Sequence, residues 1–291
     1  MLNAFFHLMI LRKIVLFSVL IIFNHLATAS TAVLKSKPER IVSTNLCTDQ
    51  LLLMLVKKER IASLTKLARQ PEYSYMWEKA QAIPTNSGLA EEIIPLRPDL
   101  ILSTEFSPGK ATSILQNANL RVAILSLPES FAGLELLITK LGKLLGEPKA
   151  AADLIYSMQA DIKSVTERIS ALKLSEQPKV LIYSPNGHTA GSKTFKNTIV
   201  TSAGYTNIAT ELGIEYYSNL SVEQVLLSNP ELVIVSDSGY NQDSLAHRYT
   251  DHPALVKWQG NEGMLTIPDN QWLCVGPMSI RALETIAGTH K

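Results

Sequence analysis

The chain repeats part of itself, and this limits what it can fold into more than any other feature. Ala90-Glu91-Glu92-Ile93-Ile94-Pro95-Leu96-Arg97-Pro98-Asp99-Leu100-Ile101-Leu102-Ser103 has a counterpart in Val222-Glu223-Gln224-Val225-Leu226-Leu227-Ser228-Asn229-Pro230-Glu231-Leu232-Val233-Ile234-Val235-Ser236. Aligned on Pro98 and Pro230, Glu91 falls on Glu223, Ile94 on Leu226 and Asp99 on Glu231. Each copy reads as a short helix, a proline stop and a buried strand. A weaker match sets Pro38-Glu39-Arg40-Ile41-Val42-Ser43 against Pro178-Lys179-Val180-Leu181-Ile182-Tyr183, an opening strand for each half. Two matches in the same order point to a duplicated unit, and hence to two similar lobes.

Between the halves lies a helical stretch. Gly146-Glu147-Pro148 punctuates it, with proline suited to a first helical turn. Ala151, Leu154, Ile155, Met158, Ile162, Val165, Ile169 and Leu172 then recur at steps of three and four. That is one apolar stripe on a helix of about 25 residues, roughly 37 Å long. Its place between two repeats suggests a rigid strut. Apolar runs near 40–43, 60–64, 99–103 and 121–125, then near 179–183, 231–235 and 263–267, alternate with helical patterns. The expected class is therefore α/β, two Rossmann-like lobes with parallel sheets joined by one long helix.

The beginning of the chain reads as an address. Arg12-Lys13, the uncharged run Ile14–Phe23 and Ala27-Thr28-Ala29 have the pattern of a secretory signal peptide cleaved after Ala29, with Met9 a second candidate start. The apolar run is about half the roughly 20 residues that a membrane-spanning helix needs. The expected division is a signal at 1–29, lobes at 30–145 and 176–291, and the connecting helix at 146–175. The whole chain carries a formal charge of +1, and removing the two positive charges of the leader brings it to +1 − 2 = −1. A near-neutral chain without a basic block is unsuited to nucleic acid. Two cysteines, Cys47 and Cys274, stand far apart in sequence; in an oxidising compartment they pair, or they remain two separate thiols.

Open α/β sheets bind ligands off the carboxyl ends of their strands, so candidate binding residues are sought there. After the first strand, Thr48 or Asp49 suits the cap of an apolar helix over Gln50–Val56, which leaves Asn45 and Cys47 to face the inter-lobe space. Leu67 to Trp77 is dense in aromatics, and Tyr73 and Tyr75 offer flat contact area with polar tips. Tyr183-Ser184-Pro185-Asn186-Gly187-His188 forms a tight loop after the strand that opens the second half, with Tyr183, Asn186 and His188 as candidates. Trp272 and Cys274 follow the last strand, and Arg69 or Arg248 would suit a cleft nearby. There is no G-x-S-x-G elbow, P-loop, G-x-G-x-x-G or H-E-x-x-H. After the leader, His188, His247, His252 and His290 remain, none in an i,i+4 pair. No catalytic residue, cofactor or preassembled metal cage is therefore expected.

Arg40-Ile41-Val42-Ser43, the doubled Glu91 and Glu223 block, the mid-chain helix and Ala203-Gly204-Tyr205-Thr206-Asn207-Ile208-Ala209 together resemble the iron-siderophore and cobalamin periplasmic-binding family, over about residues 38–288. The resemblance implies a solute-binding subunit of an ABC importer. Such a protein is a periplasmic monomer that holds a metal chelate (cobalamin, ferric siderophore or haem) between its lobes. It delivers the chelate to a permease dimer, presenting one surface glutamate per lobe, at the positions of Glu91 and Glu223. Glu72-Tyr73-Ser74-Tyr75 looks like the loop that cobalamin binders place against their ligand. The two cysteines lie outside the general family pattern. An alternative is a periplasmic redox or soft-metal-handling protein using Cys47, Cys274 and His188.

Overall fold

The central apolar runs, such as 41–43 and 100–104, become strands because they are covered on both faces, as the middle of a parallel sheet requires. The computed structural model describes residues 37–107, 109–237 and 252–290, so the leader, His247 and Arg248 lie outside the described residues. In chain order the first lobe contains β1 (Ile41–Ser43), α1 (Leu46–Leu55), β2 (Ile61–Thr65), α2 (Trp77–Ala80), β3 (Thr85–Asn86) and α3 (Ala90–Ile93). It continues with β4 (Leu100–Thr104), α4 (Gly109–Asn117), β5 (Val122–Leu125) and α5 (Phe131–Leu145). Its five strands form one parallel sheet in the order β3-β2-β1-β4-β5. All five residues of β4 are buried.

The helix α6 (Pro148–Ala171) follows, 24 residues with proline in its first turn and Ala151, Met158 and Val165 buried along one face. Then come β6 (Lys179–Ile182), β7 (His188–Ala190), α7 (Phe195–Ser202), β8 (Thr206–Asn207), α8 (Ile208–Glu211) and β9 (Tyr217–Asn219). The chain closes with α9 (Val222–Leu227), β10 (Leu232–Asp237), α10 (Pro253–Glu262), β11 (Met264–Pro268), α11 (Asp269–Trp272) and α12 (Ser279–Ala287). Strands β11-β10-β6-β8 form a second parallel sheet, and β7 pairs antiparallel with β9. Both sheets lie in one compact unit, Pro38–Lys291. One apolar cluster joins Leu51, Leu64 and Leu102 of the first lobe to Ile182, Ile199 and Ile234 of the second. It passes through Leu141 of α5, Met158 of α6 and Leu283 of α12.

The duplication holds at atomic detail. Arg97 and Asn229 occupy equivalent left-handed turns, at φ 48° and 47°. The acid that follows each proline anchors the opening strand. Asp99 accepts from Glu39 N and Arg40 N at 2.6 and 3.0 Å, and Glu231 accepts from Lys179 N at 3.0 Å. The weaker of the two sequence matches is off by one residue. Ile41 pairs with Leu100 and Val180 with Leu232, so Ile41 corresponds to Val180 and not to Leu181. Side chains alternate between sheet faces, so aligning the prolines would exchange the two faces of the strand. Four short strands that carry no periodic signal, β3, β7, β8 and β9, also escape the sequence reading.

Candidate functional site

At the carboxyl end of β1 the chain turns directly into α1. This helix begins at Leu46, four residues before the expected start, and Asn45 is its cap: Asn45 Oδ1 accepts from Cys47 N at 2.9 Å. A side chain committed to a helix amide is less available to a ligand, so Asn45 has a structural explanation after all. Asp49, expected as a possible cap, is buried instead, accepting from Thr65 N and from Thr65 Oγ1 at 2.5 Å. Tyr73 packs against the cluster of Leu46, Cys47, Cys274 and Met278. Tyr75 is 41% exposed, and its side chain hydrogen-bonds to Arg281 on α12. It lines a pocket of about 320 Å³ with Met54, Leu154 and Arg281. The Arg69 guanidinium donates to Ile83 O, away from the second-lobe pocket.

The carboxyl ends of the second-lobe strands open into a pocket of about 310 Å³, which contains two of the expected residues, Asn186 and His188. Asn186 adopts φ 62°, a left-handed turn that exposes its side chain while its carbonyl accepts from Asn219 Nδ2 at 2.8 Å. The pocket also holds residues with no signal in the sequence: Ser184, Thr189, Lys196, Tyr217, Ser236 and Asp269. Lys196 Nζ sits 4.3 Å from the centre of the Trp272 ring. Trp272 Nε1 donates to Ser236 Oγ at 3.1 Å, and Ser184 Oγ donates to the same atom at 3.4 Å. Burial pushes the Lys196 ammonium down to about 8, with Asp269 acting in the other direction. Burial likewise raises the Tyr217 phenol. Lys196 is one of many lysines in the chain, and only the packing of Trp272 against it gives it distinction.

Other candidates are relocated. Tyr183 is fully buried, and its hydroxyl donates to Leu220 O at 3.2 Å, so it belongs to the core of the second lobe and not to the cleft wall. Trp272 is 3% exposed and backs the pocket through Lys196. Cys47 and Cys274 form a disulfide with Cα atoms 5.1 Å apart, and both half-cystines are buried. Sulfur bonded to sulfur is not a thiolate, which removes the soft-metal set of Cys47, Cys274 and His188 in this state. Among the described residues no group of three His, Cys, Asp or Glu side chains is placed to hold a metal. The bridge joins α1 of the first lobe to the segment after β11, and Leu273 beside it lines the pocket. The lobes also meet where Asn270 Nδ2 donates to Pro71 O at 2.8 Å and Thr198 Oγ1 donates to Glu129 O at 2.6 Å.

Glu91 and Glu223 stand in the first turns of α3 and α9, the two copies of the repeated helix, and both are exposed. A carboxylate there is favoured by the helix N-terminus. Hydrogen bonds from the Ser221 side chain and from its own backbone lower the Glu223 carboxyl below the usual range. Exposed apolar side chains flank both acids, Leu89 and Ile94 beside Glu91 and Leu227 beside Glu223. Among the described residues no helix is long and apolar enough to cross a membrane.

Comparison with known proteins agrees with this architecture. A cobalamin-binding protein of Halobacterium salinarum is 24% identical over 233 residues, covering 79% of this chain and 63% of that protein. An uncharacterized ABC transporter substrate-binding lipoprotein of Bacillus subtilis, YvrC, is 24% identical over 217 residues, covering 72% of this chain and 68% of that one. The chain thus spans about two thirds of the length of these curated relatives. Among solved structures, the periplasmic heme-binding protein RhuT from Roseiflexus sp. RS-1 matches with a TM-score of 0.70 at 25% identity, covering 86% of this chain and 97% of that one. The periplasmic vitamin B12 binding protein BtuF of Vibrio cholerae shares the fold, with a TM-score of 0.66 at 15% identity over 87% of this chain and 96% of that one. The family model described as periplasmic binding protein matches residues 41–257, most of the chain, and the chain belongs to that family.

Proposed function

We propose that the protein is the solute-binding subunit of an ABC importer, exported to the periplasm, and that it carries a metal chelate of the cobalamin, haem or ferric-siderophore kind between its lobes. The observation that carries this reading is the pairing of Glu91 with Glu223, exposed acids at equivalent positions of two equivalent helices. Two matched anions suit a near-symmetric partner such as a permease dimer. Exposed ion pairs are worth only about 0.2–1 kcal/mol each, so their use is register and partner choice. The names of the relatives above support the ligand class. In this reading residues 1–29 are removed after Ala29, 30–145 and 176–291 act as lobes, 146–175 connects them, and the mature chain works as a monomer without catalysis.

Native mass spectrometry of protein purified from the periplasm, followed by fluorescence titration with cyanocobalamin, haemin and ferric siderophores, tests the reading. One of these classes is expected to bind. Glu91→Arg with Glu223→Arg is expected to leave the measured Kd unchanged and to reduce cellular uptake of the same chelate at least tenfold. Absence of binding to all three classes, or full uptake by the double variant, overturns it.

A further inference from the structure

We propose that the pocket at the carboxyl ends of β6, β10 and β11 receives an anionic, carboxylate-type arm of the cargo, with Lys196 as counter-ion and Thr189 and Ser236 as hydrogen-bond donors. The inference rests on the reading of the chain as a carrier of small chelates, and it narrows their chemistry. Three observations converge on it. Lys196 is the second residue of α7, at the helix end where the backbone dipole disfavours a cation. Its ammonium is held there, partly buried, over the face of Trp272 and 3.5 Å from Ser236 Oγ. Asp269 lines the same pocket, and its charge acts on the ammonium in the opposite direction to burial.

The second observation is an excess of donors. Trp272 Nε1, Ser184 Oγ and Lys196 Nζ all direct hydrogens at Ser236 Oγ, so the serine's own hydrogen is left to donate elsewhere. Independently, Thr189 lines this pocket while 2% exposed, and its Oγ1 has no hydrogen-bond partner among the described residues. A buried hydroxyl of this kind is ordinarily satisfied, and an acceptor on a bound arm would satisfy it. A cation set against the helix dipole, a hydroxyl with hydrogen to spare and an orphaned hydroxyl share one need, an anionic oxygen. The pocket is too small for a whole chelate and of a size for one substituent of it.

The test uses matched probes that differ only in acidity. These are haemin against its dimethyl ester, and a cyanocobalamin monocarboxylic acid against cyanocobalamin, each titrated by tryptophan fluorescence into the full mature protein. For whichever scaffold binds, the acidic member is expected to bind at least tenfold more tightly. That preference is expected to vanish in Lys196→Met, to survive in Lys196→Arg and to shrink in Thr189→Val, with thermal unfolding confirming that each variant is folded. Equal binding of acid and neutral partner by the parent protein, or a preference that survives in Lys196→Met, overturns the anionic-arm assignment and leaves the carrier reading intact. Failure of every probe to bind overturns the anionic-arm assignment, and the carrier reading falls with it only if ferric siderophores also fail to bind.

Discussion

Asp49 lies on the buried face of α1, and its carboxylate fastens that helix to the end of β2 through Thr65 N and Thr65 Oγ1. Those hydrogen bonds, with one from Ser43, favour the ionised form, but burial outweighs them and raises the carboxyl from 3.8 to about 7. The folded chain therefore holds this proton more tightly than the unfolded chain. The stabilisation is present in full below about pH 4 and is lost as pH rises through 7. Asp49→Asn keeps an acceptor oxygen and removes the charge. Urea unfolding should find the variant gaining on the parent as pH rises from 4 to 8, by up to about 1.4 kcal/mol per pH unit within that window. A constant difference across the range would refute the assignment. Lys196 is the companion case at the same scale: a residue without sequence distinction that becomes unusual only through what packs on it.

At the scale of elements, α5 and α6 run back to back after the left-handed turn at Gly146. They pack tightly at Gly142, where an added Cβ would lie 2.4 Å from Ala151 Cβ and 3.1 Å from Glu147 O. The long helix can lie this near only because one residue in each helix is small. Gly142→Ala should destabilise the protein by about 1–3 kcal/mol in urea unfolding, since both obstacles belong to the start of α6 and neither is a flexible tip. An unchanged midpoint would mean that the two helices shift apart freely. The repeated helix-proline-strand element shows the opposite situation. Its pattern was legible because the helix, the left-handed turn and the capping acid are all local. The Pro38 and Pro178 alignment failed because register is a relation between strands, and the hydrogen bonds that Arg40 O and Lys179 O accept from Asp99 N and Glu231 N decide it.

For the whole molecule, the lobes are tied in several ways. A shared core, α6, two hydrogen bonds, the edge-on contact of Phe131 with Phe195 at 5.3 Å and the Cys47–Cys274 disulfide all cross between them. Wide hinge closure is poorly suited to such a frame. Small-angle scattering of the oxidised protein should change little when a chelate binds, and a large compaction would exclude limited lobe motion. The disulfide closes a loop with a sequence separation of 227. Cys47→Ala with Cys274→Ala should therefore lower unfolding stability by about 2–5 kcal/mol while leaving chelate affinity within a few-fold. A large loss of affinity at preserved stability would instead give the cysteines a direct binding role.

The two-lobe class, the strands that open and follow each repeat, the long helix and the matched glutamates all follow from the sequence by itself. Each is written in spacing along the chain, as a period of two or 3.6, a proline stop or a doubled block. What only the tertiary structure decided is which distant residues meet. Nothing local to Cys47 or Cys274 states that they pair, and nothing near Tyr183 states that its ring turns into the core. Likewise, Lys196, Ser236 and Thr189 gather in one pocket from three separate segments, with Trp272 from a fourth behind them. Through-space contacts between residues far apart in sequence depend on how the sheets and helices stack, so the lobes could be read from the sequence while the chemistry of the pocket required the fold.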